Sequence, residues 1–70
     1  MEYDAQMRRL TLAEFDIAMG LERIRRQWET IMTLERDRYD TKTAHQLLDT
    51  LLQTQAIQEE NREIILSRMQ

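Results

Sequence analysis

The sequence predicts an all-α protein, an antiparallel helical hairpin that dimerises into a four-helix bundle. Three observations carry that reading. The chain has 70 residues with no proline and one glycine, so almost nothing interrupts a helix. Its apolar residues recur at spacings of three and four. Helix-start signatures stand at two places, Thr11 and Asp40–Thr43, which divides the chain into an N-terminal arm, residues 1–10, and a two-helix hairpin, residues 11–70.

Residues 1–10 show no sustained period and read as a flexible arm. In Thr11-Leu12-Ala13-Glu14 the threonine can accept a backbone N–H three residues on while Glu14 reaches back, a capping box, and Leu10 with Phe15 completes a hydrophobic staple. The first helix is therefore expected over about 12–38, some 40 Å long at about 1.5 Å per residue. Ile17, Leu21, Ile24, Trp28 and Ile31 form one stripe along it, widened by Phe15, Met19, Met32 and Leu34. Glu22 and Arg26 are spaced for an i,i+4 ion pair. Gly20, in mid-helix, marks either a close approach by another helix or a tolerated glycine.

The second helix is expected over about 41–69, matching the first in length. Asp40 is a suitable N-cap, and Thr43 with Gln46 offers another capping box. Ala44, Leu47, Leu48, Leu51, Leu52, Ala56, Ile57, Ile64 and Ile65 carry the helical period. The run Gln58-Glu59-Glu60-Asn61-Arg62-Glu63 interrupts it, either as a solvated stretch where the helix leaves the core or as a polar recognition patch between apolar anchors. A short polar connection between such helices makes an antiparallel hairpin. The dimer and core stripe is then Ile17, Leu21, Ile24, Trp28, Ile31, Leu47, Leu48 and Leu51, more apolar face than one hairpin can hide in a chain this short.

The inventory of reactive groups is thin. Without cysteine there is neither a disulfide framework nor a thiolate zinc site. The one histidine, His45, has Asp49 at i+4 but no further His or Cys to complete a metal site, and it is expected in solvent. Glu59 with Glu60, or Asp37 with Asp40, could do acid–base work only in a desolvating pocket, which a hairpin does not offer. One glycine cannot make a phosphate loop. The expectation is a non-enzymatic protein with no cofactor and no metal.

Thirteen acidic against ten basic residues give a net charge of −3, the wrong sign for a generic phosphate-backbone binder. The one basic cluster, Arg23, Arg25 and Arg26, is neutralised by Glu22 and Glu29, so the sequence argues against nucleic acid as a partner. Nine of the ten cations are arginine, the residue suited to protein interfaces, although arginine-rich codon usage gives the same bias. An acidic N-terminus without an apolar leader, and no apolar run near about 18 residues, predict a cytoplasmic protein that does not insert into membranes.

Two segments resemble a known family. Leu10-Thr11-Leu12-Ala13-Glu14-Phe15-Asp16-Ile17 resembles the opening of NblA-type proteins, the small factors of phycobilisome degradation in cyanobacteria and algal plastids. Ala44-His45-Gln46-Leu47-Leu48, Leu51, Ala56-Ile57-Gln58-Glu59 and Ile65-Leu66 resemble that family's second helix. The stretch from Gly20 to Arg38 is longer than the family's, and Ser67 stands where the family tends to carry lysine. The resemblance implies a helix-loop-helix homodimer acting as an adaptor that binds phycobiliproteins of the antenna and delivers them to a Clp-type protease, with Glu59, Glu60, Ile65 and Leu66 as partner contacts. The alternative is a helical interaction protein of another kind, a secretion co-chaperone or phage-encoded inhibitor that clamps a partner chain.

Overall fold

The computed structural model describes all 70 residues, Met1–Gln70. Two helices, α1 (Glu2–Arg36) and α2 (Lys42–Arg68), pack antiparallel into a rod whose Cα extents are 55 × 14 × 13 Å. No strand is present, and neither helix is long and apolar enough to cross a membrane.

The two helices meet along a heptad seam. Along α1 the seam is Gln6, Leu10, Ala13, Ile17, Gly20, Ile24, Gln27, Ile31 and Leu34, and along α2 with its two caps Thr41, Ala44, Leu48, Leu51, Gln55, Gln58, Arg62, Ile65 and Met69, all buried or half-buried; Ala5, Glu22, His45 and Leu66 are half-buried beside it. Both series step by alternating threes and fours without a break, the signature of a and d positions in a coiled coil. Only Ala13, Ile31, Leu48 and Ile65 form a fully apolar buried core, and Ile31 is wholly inaccessible. The remaining seam positions are small, polar or partly open.

This seam corrects the expectation of a flexible arm over residues 1–10. Those residues are helical from Glu2, because Gln6 and Leu10 continue the heptad and pack on the C-terminal end of α2. The start at Thr11 is absent for the same reason. Inside a continuous helix, the Thr11 hydroxyl donates back to the Met7 carbonyl at 3.0 Å instead of capping. Glu2 and Asp4 in the first turn suit the positive end of the helix dipole, and Glu2 also accepts from the Gln6 amide at 3.2 Å. With 35 residues against 27, α1 is also longer than the matched pair expected.

α1 ends at Arg36 by a Schellman motif. The Tyr39 N–H donates to the Leu34 carbonyl at 2.9 Å and the Arg38 N–H to the Glu35 carbonyl at 3.1 Å, which puts Arg38 in the left-handed region at φ 62°. Arginine carries a steric penalty there that glycine lacks. Arg38→Gly is therefore expected to stabilise the hairpin by about 0.5–1 kcal/mol, the αL relief less the added flexibility of the unfolded chain, read as a raised urea midpoint. At the entry to α2 the Asp40 carboxylate accepts from the Lys42 N–H at 3.0 Å, although the residue at the N-cap position is Thr41. The Thr43–Gln46 box does not form.

Candidate interaction surface

Placing the seam fixes what lies beside it. Seam residues Leu10, Ile17, Ile24 and Ile31 are a positions of α1, so its e positions are Met7, Glu14, Leu21, Trp28 and Glu35 and its g positions Arg9, Asp16, Arg23 and Thr30. With Leu48 as an a position of α2, the e series is His45, Leu52, Glu59 and Leu66 and the g series Leu47, Thr54, Asn61 and Arg68. In an antiparallel pair, e positions of both helices share one flank and g positions the other. Trp28 and His45 demonstrate the e flank directly, since their rings meet edge-to-face with centroids 6.4 Å apart.

Both flanks carry exposed apolar side chains among polar ones. The e flank carries Leu21 (54% exposed), Trp28 (46%) and Leu52 (45%), with Met32 and Ala56 alongside. The g flank holds Arg9, Asp16, Arg23, Thr30, Thr54, Asn61 and Arg68 together with exposed Leu47, and Leu12, Met19, Ile57 and Ile64 stand alongside. The eight-residue stripe read from the sequence is thereby divided. Ile17, Ile24, Ile31, Leu48 and Leu51 lie in the seam, Leu21 and Trp28 on the e flank, and Leu47 exposed on the g flank. The division arises because the helix pair selects a 3.5-residue repeat, which excludes positions one step around from it.

The partner contacts implied by resemblance are divided too. Glu59 and Glu60 are exposed and, with Ile17, Arg62 and Glu63, line an open cleft of about 420 Å³. Leu66 is half-buried on the e flank. Ile65, only 6% exposed, is a core residue and in this conformation offers nothing to a partner, which corrects its place among the contacts. The polar run 58–63 is neither a departure from the core nor wholly a surface patch, since Gln58 and Arg62 occupy seam positions while its other four residues are exposed.

His45 is half-buried rather than in solvent. Its Nδ1 donates to the Thr41 carbonyl at 3.0 Å and its ring rests on Trp28, a contact across the hairpin that single-helix periodicity cannot reveal. Asp37, Asp40, Glu59 and Glu60 are all exposed, and no group of three His, Cys, Asp or Glu side chains stands close enough to hold a metal ion.

The arginine cluster is engaged within its own helix. Arg25 donates through Nε and Nη2 to the Glu22 carboxylate at 2.9 and 2.6 Å, and also pairs with Glu29, while Arg26 Nε donates to Glu22 at 3.1 Å. The Arg25 hydrogen bonds, seconded by Arg26, lower the Glu22 pKa from 4.5 to about 2. A depressed carboxyl pKa stabilises the folded state above 4.5, and that contribution is lost as the pH falls from 4.5 towards 2. In acid titration followed by circular dichroism, wild type is expected to lose helicity through that window more steeply than Glu22→Gln. The difference is small because the network is solvated.

No protein-family model, curated protein or solved structure matches the chain.

Proposed function

We propose that this hairpin is a non-enzymatic interaction protein that works in the cytoplasm by holding another protein chain against its surface. One observation carries the reading. Fourteen large apolar side chains are exposed whereas four apolar residues are buried, the reverse of what a self-sufficient domain needs. The dimensions support it, because a body 14 by 13 Å across is one helix pair thick and has no interior in which to desolvate a catalytic carboxylate.

The resemblance to NblA-type proteins gives the proposal its specific form. The chain is then a homodimeric adaptor that binds phycobiliproteins of the antenna and promotes their degradation by a Clp-type protease. Glu59, Glu60 and Leu66, which remain accessible, are its contacts. The chain immobilised on beads and exposed to cyanobacterial lysate is expected to retain phycobiliprotein, visible by bilin absorbance, and Glu59→Arg with Glu60→Arg is expected to release it. Retention of a different protein ends the antenna reading in favour of a co-chaperone or inhibitor. Retention of nothing ends both.

A further inference from the structure

We propose that the g flank is a docking groove for an acidic amphipathic helix of another protein, one with carboxylates two heptads apart and apolar residues between them. This rests on the reading of the hairpin as an interaction protein, and it gives that reading a second face, on the opposite side from Glu59, with a partner of stated chemistry.

Apolar exposure alone does not choose the face. With the b positions counted to the e flank, its exposed large apolar side chains are Met7, Leu21, Trp28, Met32 and Leu52. With the c positions counted to the g flank, that side exposes as many, Leu12, Met19, Leu47, Ile57 and Ile64. Either side can therefore bury apolar surface against a partner.

Charge separates the two. The e flank holds Asp4, Glu14, Glu35, Asp49, Glu59 and Glu63 against Arg25 and Lys42, whereas the g flank holds Arg9, Arg23, Arg26 and Arg68 against Glu2 and Asp16. A chain of net charge −3 thus presents one cationic side. Arg26 is tied to Glu22, but Arg9, Arg23 and Arg68 form no ion pair within the hairpin.

The layers then set the spacing. The register that faces Arg9 with Arg68 puts Asp16 beside Asn61 one heptad on and Arg23 beside Thr54 one heptad further, with the pairs Leu12/Ile64 and Met19/Ile57 between those levels. Arg9, Leu12, Asn61, Ile64 and Arg68 line one concavity of about 380 Å³, Met19, Arg23 and Thr54 a second of about 130 Å³, and Asp16 lines both. Two heptads from Arg9 to Arg23 are about 21 Å of helix. A helix laid along this groove offers one carboxylate to the Arg9/Arg68 pair and another to Arg23, and sets aliphatic side chains against the two apolar pairs. It carries no acid at the midpoint, where Asp16 repels one.

The same features favour a helix over other anions. A phosphate backbone bears charge at every step, so it meets Asp16 and leaves Leu12 and Ile64 uncovered. A bilayer surface is flat on this scale, whereas concavities lined from two helices admit a cylinder about 10 Å across.

Fluorescence anisotropy of a labelled designed peptide, titrated with the full chain, tests this. The probe is an amphipathic helix without tryptophan, with glutamates two heptads apart and leucines at spacings of three and four between them. It is expected to bind with a dissociation constant of tens of micromolar or below and to leave the emission of Trp28, the one tryptophan, unshifted on the opposite flank. Arg9→Glu with Arg68→Glu is expected to weaken binding at least about tenfold with helicity kept, because both side chains are exposed. That variant regains affinity for a probe whose facing glutamate is lysine, which an unfolded hairpin could not do. Leu12→Asn loses about tenfold, and Glu14→Arg on the other flank does not weaken binding. Equal affinity for a scrambled probe, a shift of Trp28 emission, indifference to the Arg9 and Arg68 reversals, or tighter binding to vesicles of phosphatidylserine and phosphatidylcholine overturns the proposal. So does assembly of the chain with itself that those reversals abolish, because a second copy's acidic flank then fills the groove. A chain that ignores the probe yet retains phycobiliprotein through Glu59 and Glu60 refutes the groove alone, whereas one that binds the probe and retains no phycobiliprotein refutes the antenna reading alone.

Discussion

Ile31→Ala is expected to remove about 2–5 kcal/mol of stability, the range for truncating a fully buried aliphatic side chain. Ile31 is the one wholly inaccessible side chain, so its loss leaves a cavity that neighbours can fill only by shifting a helix. A 70-residue domain has roughly 4–10 kcal/mol in all. The variant should consequently be half unfolded or worse at temperatures wild type tolerates. Urea denaturation followed at 222 nm gives the value, and Leu12→Ala, on an exposed side chain, serves as the control, expected to stay within about 0.5 kcal/mol of wild type. A loss below about 1 kcal/mol for Ile31→Ala contradicts the seam as the stabilising element of the hairpin.

Such sensitivity follows from how little of the seam is apolar. Ile17, Ile24 and Ile31 were readable as a stripe because isoleucine at intervals of seven is a strong periodic signal. Their d-position companions Ala13, Gly20 and Gln27 were not, since small and polar residues add nothing to a hydrophobic period even when they are where two backbones approach. Gln27 shows the chemistry that replaces apolar contact. Its amide crosses the hairpin and donates to the Ala44 carbonyl at 2.9 Å. The same blindness hid Gln6, and with it the first turns of α1. It also made Gln58 and Arg62 look like an interruption of α2, although both hold seam positions. Thr11 misled for a different reason. A capping box states where a helix can begin, but extending a helix already nucleated upstream costs less than starting one. Of the candidate surface, Leu21 and Trp28 were legible as apolar and on the right helix. Their assignment to a flank rather than the seam depends on the partner helix, which single-helix periodicity does not contain. The resemblance makes Ile65 a partner contact, whereas the register of α2 against α1 buries it.

Gly20 is where that register is most narrowly specified, and its substitution gives the second large effect. A methyl group there would stand 1.8 Å from the Gln55 Oε1 and 2.9 Å from its Cδ, so the buried amide lies in the notch that the missing side chain leaves. From that position the Gln55 Nε2 donates to the Ile17 carbonyl at 3.0 Å, while its Oε1 has no hydrogen-bond partner. In an exposed helix Gly→Ala gains about 1 kcal/mol of helical propensity. Here Gly20→Ala must expel the amide, lose the bond to Ile17 and leave a displaced polar group in the seam, a penalty of about 1–3 kcal/mol. The variant is therefore expected to be less stable than wild type by up to about 2 kcal/mol, opposite in sign to propensity alone. Gln55→Ala in the same chain reverses the sign. With the amide gone, the alanine methyl at position 20 occupies the notch, the unsatisfied oxygen disappears, and the propensity gain is recovered, so the double variant should equal or exceed wild type. The coupling between the two sites, expected at about 2 kcal/mol in a double-mutant cycle, separates this account from one in which Gly20 is merely tolerated. Additive effects, or a Gly20→Ala variant that is stabilised on its own, would show that α2 does not use the notch.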